Sequence, residues 1–327
     1  MWRTRVCDLL GIEYPILEGG MSIPGNGELA AAVSNAGGLG MVGSNPGWSP
    51  PDKQLENLKK HIRIARSLTS KPFGVNITIA IHEERVRQII DLATEEKVAV
   101  IVTSGGDPRR FAEQIKASGA RFLHVALNVK QAQRAESAGA DIVIASGVDA
   151  GGLLGADEIP AFVLVPLVVD AVKVPVVAAG GIGDARGFVA ALALGAQGIQ
   201  MGTRFMATQE CHAHQNFKEA ITKAGDTDTL VTRRNLPIRA RSLKTDFTKQ
   251  LAEMDRKGCS AEEMTAFMAP GRVREGIILG DLVTGDPMCG TIAAMIKDIP
   301  PAAEVVKRII DGAEAILNRC NSLQGLA

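Results

Sequence analysis

The chain is poor in aromatic residues. Phe, Trp and Tyr together make up 4% of it, with a single tyrosine. That leaves too few rings for a base-stacking surface, so nucleic acid is a poor candidate partner. Net charge is lacking too. Lys plus Arg and Asp plus Glu each number 36, a formal charge of zero, so nothing attracts the chain over distance to nucleic acid or to an anionic membrane. Cysteine is scarce: Cys7, Cys211, Cys259, Cys289 and Cys320 are odd in number, scattered and without a CxxC pair. Neither a disulfide framework nor a metal site is expected. Long apolar runs are missing as well. The longest, AFVLVPLVVDAV, is broken by Pro166 and Asp170, which speaks against a membrane span. The start, MWRTRVCDLLGIEYP, has no apolar segment of the signal-peptide kind. Together these absences predict a soluble chain in a reducing, cytoplasmic setting with a small molecule as partner.

What is there is a rhythm. Hydrophobic residues make up 46% of the 327, enough to bury a large core. Eight short apolar segments recur at 14–20, 39–44, 72–79, 98–106, 120–127, 141–147, 174–181 and 198–205. Helical patterns separate them: HEERVRQIIDLATEEK puts Val86, Ile89, Ile90 and Ala93 on one face, and PRRFAEQIKASG and KQAQRAESAGA stop at glycine. The strand segments are near-continuous apolar runs, the mark of a parallel sheet covered on both faces. Eight such units predict a (β/α)8 TIM barrel, with a doubly wound open sheet as the alternative. Residues 206–299 are more polar, helical in TDFTKQLAEMDRKG and SAEEMTAFMA, irregular or short-stranded in DTDTLVTRRNLPIRARSL. They read as a small, mostly helical cap inserted after strand 8. Residues 1–205 and 300–327 then form the barrel, with AAEVVKRIIDGAEAIL as closing helix. Apolar cap helices suggest a homodimer.

The stretch VPVVAAGGIGDARGFVAALALGAQGIQMGTRF carries the clearest chemistry. Gly180 and Gly181 end the seventh strand; Gly202 and Thr203 end the eighth. Barrels bind a phosphate there through loop N–H groups and a helix N-terminus, and glycine lets the backbone approach closely. Gly20 and Met21 follow the first strand, Ser44 the second; Asn76 lies in the third and Thr103 ends the fourth. This ring of small or neutral polar residues suits a flat, neutral heterocycle bearing a phosphate, and FMN fits that description.

The pieces YPILEGGM, AAAVSNAGGLGMVGS, PFGVNI, GADIVIASGVDAGG, the 174–205 stretch and TQECHAH are jointly specific. The chain resembles the nitronate monooxygenase family, formerly the 2-nitropropane dioxygenases, with its FMN-dependent NADH:quinone reductases and flavin-type enoyl-acyl-carrier-protein reductases. GADEIPAFVLVP and MGTRFMATQEC look most like the quinone reductase branch. The resemblance implies FMN in a TIM barrel. Gly20, Met21, Ser44 and Asn76 would lie along the ring and ribityl, and Gly180, Gly181, Gly202 and Thr203 would hold the phosphate. Gly151 and Gly152 would sit near the ring, capped by the Met288–Gly290 region.

One departure stands out. After the sixth strand comes GVDAGGLLGADEIP, residues 147–160. Where the family usually has a histidine after AGG, this chain has Leu153, which can neither accept nor donate a proton. Nitronate oxidation by the usual route is therefore disfavoured. Hydride transfer from NADH or NADPH to FMN needs positioning rather than a base. Electrons could then pass to a hydrophobic acceptor, a quinone or an enoyl thioester, against the apolar wall of Leu153 and Leu154. Asp149 shares the loop but could simply cap the next turn. His124, at the end of strand 5, could touch flavin or substrate or be structural. His212 and His214 read as structural. Arg233, Arg234, Arg239 and Arg241 form a basic cluster that is either a solvated face or a phosphate contact. Two further readings stay open: a flavin-binding barrel without turnover, and a flavin-free sugar-phosphate lyase, the latter weakened because no lysine ends a strand. An IMP dehydrogenase-like activity would need a cysteine at 148–160, and there is none.

Overall fold

The apolar runs fold as short parallel strands because their backbone groups must be paired once both faces are buried. The structure, a computed structural model, describes residues 2–80 and 82–323. Among them β1 (Ile16–Glu18), β2 (Gly40–Val42), β3 (Phe73–Thr78), β4 (Val100–Ser104), β5 (Arg121–Ala126) and β6 (Ile142–Ser146) share one sheet. A three-residue strand, β7 (Gly152–Leu154), lies elsewhere, and β8 (Val176–Ala179) and β9 (Ile199–Met201) complete the eight, in the order β1-β9-β8-β6-β5-β4-β3-β2. All its ladders are parallel. A bridge between Leu17 and Leu39 joins the two outer strands, and the Glu18 N–H donates to Leu39 O at 2.8 Å. The sheet closes on itself, as a (β/α)8 barrel rather than an open sheet. The seventh and eighth barrel strands are β8 and β9.

Side chains alternate across the sheet, and two separate apolar clusters reveal the two faces. Leu17, Met41, Val100, Val102, Leu123, Ile142, Ile144 and Val177 meet in the lumen, together with Val6, Cys7 and Leu10 of the first helix. That helix, Arg5–Leu10, sits at the N-terminal end of the strands, where Thr4 Oγ1 donates to Gln197 O just before β9. Ile16, Val42, Val75, Ile101, Phe122 and Val143 face outward onto the helices. The closing helix, Ala302–Leu323, packs there through Ala302, Val305, Val306 and Ile309.

Between β9 and that helix, the two helical patterns form as read. Asp246–Lys257 starts at a Thr245–Thr248 capping box and Ala261–Met268 at a Ser260–Glu263 box, each satisfying two otherwise orphaned donors. The stretch that looked irregular is a hairpin of β10 (Thr229–Thr232) and β11 (Arg239–Leu243). Its β11 edge pairs antiparallel with β7: Leu154 opposes Arg239, Leu153 opposes Ala240, and Gly152 opposes Arg241. The glycine-rich segment after β6 is thus partly a strand, which its composition opposes; β11 supplies the partner. The Arg233 guanidinium meets the fully buried Asp286 carboxylate, which also accepts from Ser242 Oγ. No helix among the described residues is long and apolar enough to cross a membrane.

Candidate active site

At the C-terminal end of the lumen, strand parity decides which residues can meet a ligand. Val75 and Ile77 face the helices, so Asn76 between them points inward. Ile199 and Met201 face outward, so Gln200 points inward as well. Both Asn76 side-chain atoms, Nδ2 and Oδ1, are buried without a hydrogen-bond partner, as is Gln200 Oε1. Unpaired buried amides cost about 1–3 kcal/mol each, so the arrangement suits a ligand that supplies complementary groups. Gly20 makes room for it: a Cβ there would lie 2.2 Å from Asn76 Cγ. Gln200 is missing from the sequence reading, because which face of β9 points inward shows only once Ile199 and Met201 are seen against the helices.

Beside the amides, backbone donors converge. The N–H groups of Gly180, Gly181 and Gly202 make no hydrogen bond among the described residues. Gly180 and Gly181 have φ of 95° and 72°, a conformation that glycine adopts freely. A four-residue helix, Thr203–Met206, starts at the end of β9. The longer helix after β8, Ala185–Ala193, has its first turn occupied by Asp184, whose carboxylate accepts from the Arg186 and Gly187 N–H groups. An anion near the β8 turn therefore meets glycine N–H groups rather than the start of that helix. Thr203 Oγ1 accepts from the Gly290 N–H at 2.9 Å, which ties this corner to the 289–291 segment.

The loop after β6 rests on the same segment. The Thr291 N–H donates to Asp149 O, and a Cβ on Gly151 would lie 2.4 Å from Cys289 C. The Asp149 carboxylate is committed: its Oδ2 accepts from the Ala161 N–H at 2.7 Å, at the start of the helix Ala161–Ala171. Leu154 is buried, while Leu153 is 41% exposed. Met288 Sδ lies 3.9 Å from a Cβ built on Gly152, so that methionine covers the glycine pair.

The structure brings together Gly20, Met21, Asn76, Gly180, Gly181, Gly202 and Thr203, with Met21 Sδ 3.6 Å from a Cβ built on Gly202. Gly151, Gly152 and Gly290 border the same corner. The Ser44 hydroxyl lies 2.9 Å from that of Ser22. Thr103 and His124 lie elsewhere. They alternate with the lumen residues Val102, Leu123 and Val125 and so face the helices, where Thr103 Oγ1 and His124 Nδ1 are 2.8 Å apart. The end of a strand fixes height along the barrel, and parity fixes direction; these two point away. Burial lowers the His124 pKa from 6.5 to about 4, which keeps the imidazole neutral. His214 Nδ1 accepts from the Asn216 N–H at a helix start.

The chemistry of this corner fits a flavin mononucleotide: inward amides complement a ring edge that both donates and accepts, and free glycine N–H groups suit a phosphate. The nitronate monooxygenase family model matches residues 3–312 of the chain. The chain belongs to the nitronate monooxygenase family. A probable nitronate monooxygenase from Staphylococcus saprophyticus is 35% identical over 295 residues, 77% of this chain and 81% of that protein. FabK from Thermotoga maritima superposes with a TM-score of 0.90 at 40% identity, covering 98% of this chain and 99% of its own. A nitroalkane oxidase from Streptomyces ansochromogenes follows with a TM-score of 0.82 at 27% identity, covering 97% and 100%. This member of the nitronate monooxygenase family is an FMN-dependent oxidoreductase.

Proposed function

We propose that the protein takes hydride from NADH or NADPH and passes two electrons to an activated, hydrophobic acceptor of the quinone type. Bound FMN supplies the two-electron relay. In this reading Asn76 and Gln200 hold the ring edge, and Gly20, Met21 and Ser44 lie along the ring and ribityl. Gly180, Gly181, Gly202 and Thr203 hold the phosphate, and Gly151, Gly152 and Gly290 border the ring. Residues 206–299 serve as the cap over it.

One observation carries the choice of acceptor. In the loop after β6, Leu153 stands at the usual histidine position, and the Asp149 carboxylate accepts from the Ala161 N–H. Hydride transfer and electron transfer to a quinone ask the protein for position, with the proton of the quinol taken from water; removal of the α-proton of a nitroalkane asks for a base. The exposed Leu153 supplies an apolar contact for such an acceptor. A second reading, reduction of an enoyl thioester, is favoured by the likeness to FabK along nearly the whole chain. The proposal includes a cytoplasmic setting, consistent with five free cysteines, and a homodimer.

Anaerobic titration with NADH and then NADPH, followed by flavin absorbance, tests the reading. Rapid bleaching by one nucleotide, and reoxidation by quinones faster than by enoyl-CoA, is the expected result. Faster reoxidation by enoyl-CoA would establish the second reading. Flavin that neither nucleotide reduces would leave a binding barrel without turnover.

A further inference from the structure

The rim of the same site holds a charged cluster that the redox chemistry does not use. Arg234 and Arg239, both on the β10–β11 hairpin and the turn between its strands, reach the segment after β7 and meet Glu158. Both guanidinium groups contact it through Nη1, and both contact the same oxygen, Oε1. A guanidinium has five N–H donors; these two side chains each direct only Nη1 to a protein acceptor among the described residues, and Arg239 Nε is buried without a partner. Two cations around one carboxylate leave a net positive charge. Asp255 accepts the Arg234 backbone N–H and Asp157 accepts from Asn128 Nδ2; neither carboxylate contacts the two guanidinium groups. Arg241 stands nearby with its Nε on Val148 O.

Glu158 is also held in an unfavourable backbone conformation, with φ of +48°, which non-glycine residues adopt at a cost. The position matters as well. Arg239 opposes Leu154, one pair along the ladder from Leu153 and Ala240, about 3.4 Å further from the flavin-side glycines.

We propose that Arg234 and Arg239 form a recognition site for a phosphate ester of a ligand entering this active site, with Glu158 as the internal group that the phosphate displaces. A phosphoryl group presents several oxygens to the unused N–H donors, and forked guanidinium groups match that geometry. Two ligands of the proposed reaction carry the chemistry: the pyrophosphate of a nicotinamide dinucleotide and the phosphate of a phosphopantetheine arm. The assignment of these ligands rests on the proposed reductase reading; the anion site itself does not.

The test is calorimetric titration of the FMN-loaded protein with ADP-ribose and, separately, with 4′-phosphopantetheine. Arg239→Gln and Arg234→Gln weaken binding about tenfold or more, in line with the loss of a charge-assisted contact. Glu158→Gln, which removes the competing carboxylate, tightens it severalfold. These opposite signs distinguish ligand recognition from a purely structural ion pair, whose loss would move both variants the same way. The pattern with ADP-ribose identifies the dinucleotide as source; the pattern with phosphopantetheine identifies the thioester arm. Failure of wild-type protein to bind either probe, or variants that all lie within twofold of wild type or all weaken together, overturns the proposal. Reduction of the flavin by NADH and NADPH is followed in parallel, so a failed reductase reading shows there and not in the titrations.

Discussion

Leu153 and Ala240 face each other across the β7–β11 ladder. Ala240 is buried and Leu153 is 41% exposed, so the ladder holds in place the position at which the family resemblance puts a histidine. Restoring the imidazole tests whether the residue or the strand blocks proton chemistry. Leu153→His is expected to raise oxygen uptake with a nitroalkane, whose α-proton a base must remove, by about tenfold or more, general-base contributions starting near a hundredfold. Unchanged uptake, with FMN still bound, would show that the strand holds position 153 out of reach.

Asn76 offers a test with two opposite readouts. Its two side-chain polar atoms are buried without partners. Asn76→Leu, of similar shape, removes them. FMN affinity is expected to fall about tenfold, the equivalent of a single net hydrogen bond. The flavin-free protein, by contrast, is expected to melt at a higher temperature. A variant that is less stable without FMN would mean that Asn76 supports the barrel rather than the cofactor.

His124 predicts an acid-labile fold. Its pKa in the folded state is about 4, against 6.5 when unfolded, with burial the first cause. Below pH 6.5 the unfolded chain gains a proton that the folded chain refuses, so stability is intact above that value and falls as the pH drops. The loss approaches about 3 kcal/mol near pH 4. Urea unfolding of wild type and His124→Gln at pH 7.5 and pH 5 checks it: the variant is expected to lose less stability on acidification. Equal losses would refute the assignment.

Glu18 predicts the reverse slope. Burial pushes its carboxyl well above the usual range, although a hydrogen bond from the Met41 N–H pulls the other way. A raised pKa gives stability that is complete at low pH and is lost as the pH rises through the folded value. Glu18→Gln keeps an acceptor for Met41 and has no charge to bury. It is expected to melt a few degrees above wild type at pH 8, about 2–4 °C per kcal/mol for a chain of this size, and to show little difference at pH 5. A gap that does not widen with pH would rule the carboxyl out as its cause.

Much of the architecture was legible in local pattern. Unbroken apolar segments such as DIVIASG, spaced by amphipathic stretches that stop at glycine, require a parallel sheet covered by helices, and eight units suffice for closure. Gly180, Gly181, Gly202 and Thr203 were legible as glycine-rich strand ends, which the structure brings together at one corner. Leu153 was legible as a departure by comparison with the family motif. The direction of a side chain at a strand end was harder to read. Height along the strand singles out Thr103 and His124 and misses Gln200, because parity becomes certain only when the neighbouring residues are sorted into lumen and helix layers.

The sequence by itself therefore determined the barrel and its glycine-rich strand ends, since these follow from local composition and spacing, and showed a leucine where the resembling family usually has a histidine. Tertiary structure alone decided that Gly152–Leu154 becomes a strand, that Arg234 and Arg239 gather on Glu158, and that Asn76 and Gln200 rather than Thr103 and His124 face the lumen. The first two depend on partners 75 or more residues away, such as Arg239 on Glu158 with a separation of 81. A strand needs an edge to pair with, and a charge needs its counter-charge; neither is supplied by the residues next door.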